Sequence, residues 1–121
     1  MSLWIMVAGP YGAGGADAAQ RAANLADLNR AALQVLAAGH VPIIGVNMAL
    51  PVIEAAEAGG DADAYETIMM PLSLALTARC DAVLRIGGAS RGADAEVSRF
   101  QAAEKPVYRS VEEIPAAEVS P

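Results

Sequence analysis

The feature that most restricts this chain is its opening: a short, partly β-branched apolar run, Leu3 to Ala8, stopped by Gly9-Pro10. Glycine fills four of the seven positions from Gly9 to Gly15, and an alanine-rich stretch follows. The run reads as a buried strand and the glycines as the turn that leaves it. From Asp17 to about Ala38 the period changes. Leu25, Leu28, Ala32, Val35 and Leu36 recur at steps of three and four, while Arg21, Asp27, Arg30 and Gln34 fall mostly elsewhere around the turn. Such a stripe predicts a helix with Asp17 as its N-cap and Gly39 as its C-terminal stop.

Two further rounds of the same pattern follow. Val41 to Val46 predicts a second buried strand, with Pro42 at its beginning or edge. Pro51 to Ala58 predicts two helical turns starting with Pro51 at the first helical position and ending at Gly59-Gly60. Asp61 or Asp63 can cap a longer helix through Ala78, with Pro71 as a break or kink. Ala82 to Ile86 is the third strand; a second glycine turn, Gly87 to Gly92, leads into a helix ending near Glu104. Pro106 to Tyr108 is a short fourth strand, Val111 to Ile114 at most a turn, and 116–121 a frayed tail. Strands alternating with helices predict one small doubly wound, Rossmann-like α/β domain over 1–121, with a parallel sheet of at least four strands flanked by helices.

Composition narrows the chemistry. The length, 121 residues, suits one domain. Apolar residues are 55% but aromatics only 4%, and 28 residues are alanine, so the core rests on small and branched aliphatic contacts. Fourteen acidic against eight basic residues give a charge of −6, which removes the usual long-range attraction to nucleic acid. Every apolar run breaks before the roughly 18 residues of a membrane span. No basic region precedes an apolar one at the start, and the expected setting is cytoplasmic. The single cysteine, Cys80, excludes an internal disulfide framework and an all-cysteine metal site.

Candidate functional residues gather on the two glycine turns. In the first, Gly9, Gly12 and Gly14 let backbone amides approach an anion, and the following helix end favours negative charge. No lysine with serine or threonine closes this turn as a phosphate-binding loop would require, and it fits the dinucleotide fingerprint poorly. Tyr11 can stack on a ring or hydrogen-bond near a reacting centre. In the second turn, Gly88, Ser90, Arg91 and Gly92 could receive a phosphate, Ser90 either as donor or as helix cap. Glu96 is expected in the first helical turn, where amide donors would keep it ionised, beside Phe100 and Ala103. A carboxylate held there could attack a sugar carbon; equally it could only complement the helix dipole. Asp81, entering the third strand, could orient a ligand or cap the preceding helix. Asn47 lies beyond the second strand, in the zone where ligands bind such sheets, or in a turn. Asp61, Asp63 and Glu66 read as capping and solvated residues, His40 has no metal-binding companion, and Cys80 reads as packing.

The order of these pieces resembles the nucleoside 2-deoxyribosyltransferase-like superfamily, including small bacterial and phage proteins. The resemblance covers roughly residues 3–108. It rests on Ala8-Gly9-Pro10-Tyr11, Arg21, Gly39 to Pro42, Cys80-Asp81-Ala82-Val83, Gly88 through Glu96, and Lys105-Pro106-Val107. It implies that Glu96 displaces the base of a nucleoside as a covalent nucleophile, and that a second base or water then releases the sugar with retention. Relatives acting on nucleoside 5′-monophosphates carry a serine six residues before that glutamate, where this chain has Ser90, which implies a 5′-phosphate cradle shared with the glycines of the first turn and with Arg91. They also carry an acid eight residues before the strand-entry aspartate, and here that position is Ser73. A serine cannot supply an acid's proton-handling near neutral pH, so Glu66 or Asp81 would have to cover it, or base departure depends less on such help.

The resemblance further implies a homodimer or higher homo-oligomer and no cofactor. Phosphoribohydrolases share a glycine turn before a glutamate, but their fuller glycine-threonine pattern is missing. Two other function classes stand beside the enzyme: a non-catalytic nucleotide-binding or sensing domain, and an interaction protein whose glycines only make turns.

Overall fold

A computed structural model describes residues 2–117. Strand β1 (Trp4–Ala8) leads through a 3-10 turn at Ala13–Gly15 to α1 (Ala18–Ala37), then β2 (Val41–Ile43), α2 (Gly45–Ala58) and α3 (Ala64–Thr77). Then come β3 (Ala82–Arg85), α4 (Arg91–Ala102), β4 (Val107–Tyr108) and a closing 3-10 turn at Val111–Glu113. All pairings are parallel, in the order β2-β1-β3-β4, a small Rossmann-like sheet. The chain steps one way from β1 to β2 and crosses back to β3 on the other side of β1. The carboxyl ends of β1 and β3 therefore flank the point where winding reverses, the place where such sheets open a crevice.

Successive strand residues point to opposite faces, so β1 feeds two cores. Ile5 and Val7 pack with Ala82 and Leu84 under Leu28, Ala31 and Val35 of α1. Met6 and Ala8 pack with Val83 under Ala93, Val97 and Phe100 of α4. A third cluster, Ala49, Ile53, Ala64 and Met69, joins α2 to α3. The alanines let the helices lie close, and Phe100 is the one phenylalanine filling a core.

Local signals set several ends. Asp17 Oδ1 accepts from Gln20 N–H at 2.8 Å and caps α1. At the other end Gly39 takes φ +92°, while Gly39 N–H donates to Leu36 O and His40 N–H to Val35 O. That pair of bonds is a Schellman motif, which needs a left-handed residue and so favours glycine. The same bonds close α4, but there the left-handed residue is Glu104, at φ +57°.

The structure departs from the sequence reading around β2 and α2. β2 stops at Ile43, not Val46, and α2 starts at Gly45. Pro51 lies inside α2 rather than at its first position, and Pro71 lies inside α3 as expected, in a helix that is continuous through it. Each proline withholds one helical hydrogen bond, but burial of Ala49, Ile53 and Met69 in the α2–α3 cluster carries the helices through. Asp63 occupies the N-cap position of α3 without a side-chain cap bond, and Asp61 Oδ1 instead accepts from Asp63 N–H at 3.0 Å.

His40, only 2% exposed, clips both chain ends to the sheet edge. Its Nδ1 accepts from Leu3 N–H at 2.9 Å, which leaves Nε2 to carry the proton and donate to Pro115 O. Ala117 N–H donates to Ala38 O at 2.9 Å, so the chain is held to that residue. The rest of the expected tail, 118–121, lies outside the described residues. Lys105 Nζ donates to the carbonyls of Thr77, Ala78 and Cys80, closing the C-terminal end of α3. No helix among the described residues is long and apolar enough to cross a membrane.

Candidate active site

The winding reversal holds a cavity of about 540 Å³, a volume within the range of small-ligand sites. Its floor is apolar, from Val7, Leu28, Ile44 and Val46. The first glycine turn contributes Gly9, Tyr11, Gly12 and Gly14, and the second turn with α4 contributes Ala89 to Asp94 and Glu96. One face of α3 closes the opposite wall with Tyr65, Met69, Met70 and Ser73. The two turns touch: a β-carbon at Gly87, whose φ is +77°, would lie 2.7 Å from Pro10 Cδ. Both turns and the Glu96 side chain thus meet at one sheet edge.

Glu96 dominates the electrostatics. It is the sixth residue of α4, past the free amides of the first turn that were expected to hold it ionised. It is 8% exposed, and among the described residues its carboxyl makes no hydrogen bond. Burial therefore pushes its pKa up to about 7, against a smaller opposing pull from the Arg85 guanidinium. Near neutral pH this carboxyl sits about half ionised beside open space, a poise suited to proton transfer or nucleophilic attack.

Arg85, at the end of β3 and 9% exposed, organises the second turn. Its Nη2 donates to Gly88 O at 2.8 Å, its Nη1 to Ile86 O, and its Nε to Asp94 Oδ1 at 3.2 Å. Of the two readings of Ser90 the cap is the one seen, Oγ accepting from Ala93 N–H at 3.1 Å at the start of α4; the residue also lines the cavity, and its hydroxyl keeps a proton to donate. Arg91 is exposed at the rim. Gly92 lets α3 approach, since a β-carbon there would lie 3.1 Å from Met70 Sδ. Ser73, 3% exposed, lies against Gly45, where a β-carbon would come within 2.2 Å of its Oγ.

At the first turn, the Arg21 guanidinium lies within cation–π distance of two tyrosines, its carbon 5.8 Å from the centroid of Tyr11 and 5.1 Å from that of Tyr65. Burial raises the pKa of the Tyr65 hydroxyl, and Arg21 opposes that rise. Gly9 lines the cavity, but its main constraint is packing: a β-carbon would lie 2.9 Å from Ile86 and 3.1 Å from Leu28.

Three expected site residues lie elsewhere. Asp81 sits at the amino end of β3, a strand's length from the cavity, where Oδ2 accepts from Trp4 N–H at 2.8 Å. It ties β3 to β1, because a residue entering a parallel strand is at the edge opposite the crevice. Asn47 is exposed on α2 and donates to Asn29 Oδ1 at 2.8 Å, joining α2 to α1. Gly88 belongs to a small neighbouring hollow of about 90 Å³, its carbonyl held by Arg85. Glu66 is exposed and, like Asp81, outside the cavity lining, so neither stands where it could hold or give a proton inside the cavity. Cys80 is buried in the α4 core with its thiol pushed up to about 11 by burial, an inert state.

Arg85, Tyr65, Met69 and Met70 were not among the expected site residues. For α3 a signal existed: Tyr65, Met69 and Ser73 are spaced by four and share a helical face. Arg85 gave only a charge ending an apolar strand, which does not say where the guanidinium folds. Among the described residues no three potential metal-ligating side chains cluster.

No curated protein matches the chain. Its residues 4–112, from the first residue of β1 to the closing turn, match a family described as "Domain of unknown function (DUF1937)". By that match, which spans nearly all of the sheet, helices and cavity, the chain belongs to the DUF1937 family.

Proposed function

We propose that the cavity binds a nucleoside or nucleoside 5′-monophosphate and that Glu96 cleaves its N-glycosidic bond, passing the sugar to water or to a second base. The observation that carries this reading is a buried carboxyl, free of hydrogen bonds among the described residues, facing a ligand-sized cavity between two glycine turns. A carboxylate with no internal partner keeps its lone pairs for the ligand, and an apolar floor with tyrosines at the rim suits a flat base above a sugar.

In the first displacement a Glu96 carboxylate oxygen bonds to C1′ and the C1′–N bond breaks. Its electron pair leaves with the base, which takes a proton from water at the mouth. In the second, a water oxygen bonds to C1′, the ester C–O bond breaks with its pair returning to Glu96, and the water's proton goes to solvent. Two inversions give net retention. Ser90 Oγ–H and Arg91 favour a phosphorylated sugar, since an anion must find local positive groups on a chain of charge −6.

The second reading is a nucleotide-binding domain without turnover. It is favoured by Ser73, a neutral residue on the wall where the resembled enzymes hold an acid, and by Asp94 being tied to Arg85. The deciding experiment incubates wild type and Glu96→Gln with nucleosides and 5′-monophosphates, with and without a second base, and separates the products. Free base from the wild type alone supports catalysis. Saturable binding without products in either protein establishes the second reading, and equal turnover removes Glu96 as nucleophile.

A further inference from the structure

The amino end of α2 opens on the cavity with donors left over. β2 stops at Ile43 and α2 begins at Gly45, so this helix starts at the carboxyl edge of the sheet, where the two glycine turns also stand. Ile44 occupies the N-cap position and has no side-chain oxygen to offer, and the first helical bond runs from Met48 N–H to Ile44 O. The amides of Gly45 and Val46 come before that bond and make no hydrogen bond among the described residues. Ile44, Gly45 and Val46 all line the cavity, and Gly45 is buried. Amides left in that state call for a polar partner from the cavity.

Ser73 reaches the same helix end from α3. It is 3% exposed, and its Oγ has no hydrogen-bond partner among the described residues. The two threonines of α3 behave otherwise: Thr67 Oγ1 donates to Asp63 O at 3.2 Å and Thr77 Oγ1 to Leu74 O at 2.6 Å, the usual resting bond of a helical hydroxyl. Ser73 Oγ instead lies across at α2, 2.2 Å from where a β-carbon on Gly45 would stand. Packing accounts for the glycine; the distance fixes the hydroxyl beside the first residue of α2. Among the described residues Arg21 Nε is the one side-chain polar atom both sealed and unpartnered. The unpartnered Ser73 oxygen therefore meets open space, and the space its residue lines is the cavity.

We infer that the amides of Gly45 and Val46 and the hydroxyl of Ser73 form an oxyanion seat in the cavity wall, which takes a carboxylate or phosphate oxygen of a small ligand. All three groups donate, and the amides can do nothing else, so the seat suits an oxygen that only accepts. The partial positive charge at the start of α2 adds a preference for a negative one. Two carboxyls also line the cavity, but Asp94 is paired with Arg85, and Glu96 can hold its proton. The seat is separate from Ser90 and Arg91 on the second glycine turn, and it requires neither a nucleoside nor cleavage.

The test follows the Gly45 and Val46 amide resonances of the whole chain as inorganic phosphate or acetate is titrated in. Wild type, Ser73→Ala, Ser73→Asp and Arg91→Gln are compared, and thermal melts confirm that each variant folds. In the wild type at least one anion shifts both amides saturably: phosphate the more strongly if the ligand's acid is a phosphate, acetate if it is a carboxylate. Ser73→Ala weakens that binding about tenfold, as expected for one charge-assisted bond, and Arg91→Gln leaves it within about twofold. Ser73→Asp abolishes it, because the new carboxylate fills the helix end itself. The inference is overturned if neither anion moves the two amides, if either Ser73 variant binds like wild type, or if Arg91→Gln removes the shifts. The wild-type titration alone decides it where a variant does not fold. A seat that fills in a protein releasing no base refutes the proposed cleavage and leaves the seat standing; base release with amides that never shift does the reverse.

Discussion

Glu96→Gln should make the protein more stable, and by an amount that depends on pH. In the folded chain the protonated carboxyl is preferred: its pKa lies at about 7, against 4.5 for an ordinary glutamate. Below pH 4.5 folded and unfolded chains both hold the proton, and burial exacts no ionisation penalty. As pH rises from 4.5 toward 7 the unfolded chain releases its proton first, so the folded state loses stability across that window. Each pH unit between the two values is worth about 1.36 kcal/mol, which makes the full penalty about 3 kcal/mol above pH 7. Glutamine has nearly the same shape and never ionises, so it escapes the penalty while keeping any fixed packing cost. Paired urea titrations at pH 5 and pH 8 should show the variant's advantage growing by about 2–3 kcal/mol. In thermal melts the same growth is roughly 10 °C for a domain this size. A constant difference at both pH values would refute the burial of this carboxyl as drawn. So would a carboxyl carbon resonance that titrates at the ordinary position.

If Glu96 is the nucleophile, kcat/KM for base release rises through pH about 7 as the carboxylate forms, read from a pH–rate profile; a rate flat from pH 5 to 8 would assign the chemistry elsewhere. Asp81→Ala should lower stability by about 1 kcal/mol through the lost bond to Trp4 N–H, with turnover unchanged; a denaturant melt and a product assay check both halves. Gly45→Ala forces a methyl to within 2.2 Å of Ser73 Oγ and should destabilise by about 1–3 kcal/mol, measured by urea unfolding. Glu104→Gly relieves a left-handed glutamate at φ +57° and should raise stability by up to about 1 kcal/mol, whereas Glu104→Val should lower it, compared by thermal melts.

The amino-acid sequence by itself determined the alternation of strands and helices, the N-caps Asp17 and Ser90, the stop at Gly39, and the parallel doubly wound fold. Each follows from a signal a few residues long: an apolar run, a period of 3.6, a side chain that can reach its own helix amide. The tertiary structure alone decided where α2 begins, that Pro51 lies inside it, and that α3 continues unbroken through Pro71. There burial of Ala49, Ile53 and Met69 outweighs a local proline preference. It also decided the site's membership. Sequence neighbours place Asp81 at the entry of its strand but cannot reveal that it accepts from Trp4 N–H, or that Asn47 turns to Asn29. Nor can they show that Arg21 lies near two tyrosines that are fifty-four residues apart in the chain. The state of Glu96 belongs to the same class, because a carboxyl's pKa is set by the water the whole fold removes from around it and by the partners that fold does or does not supply.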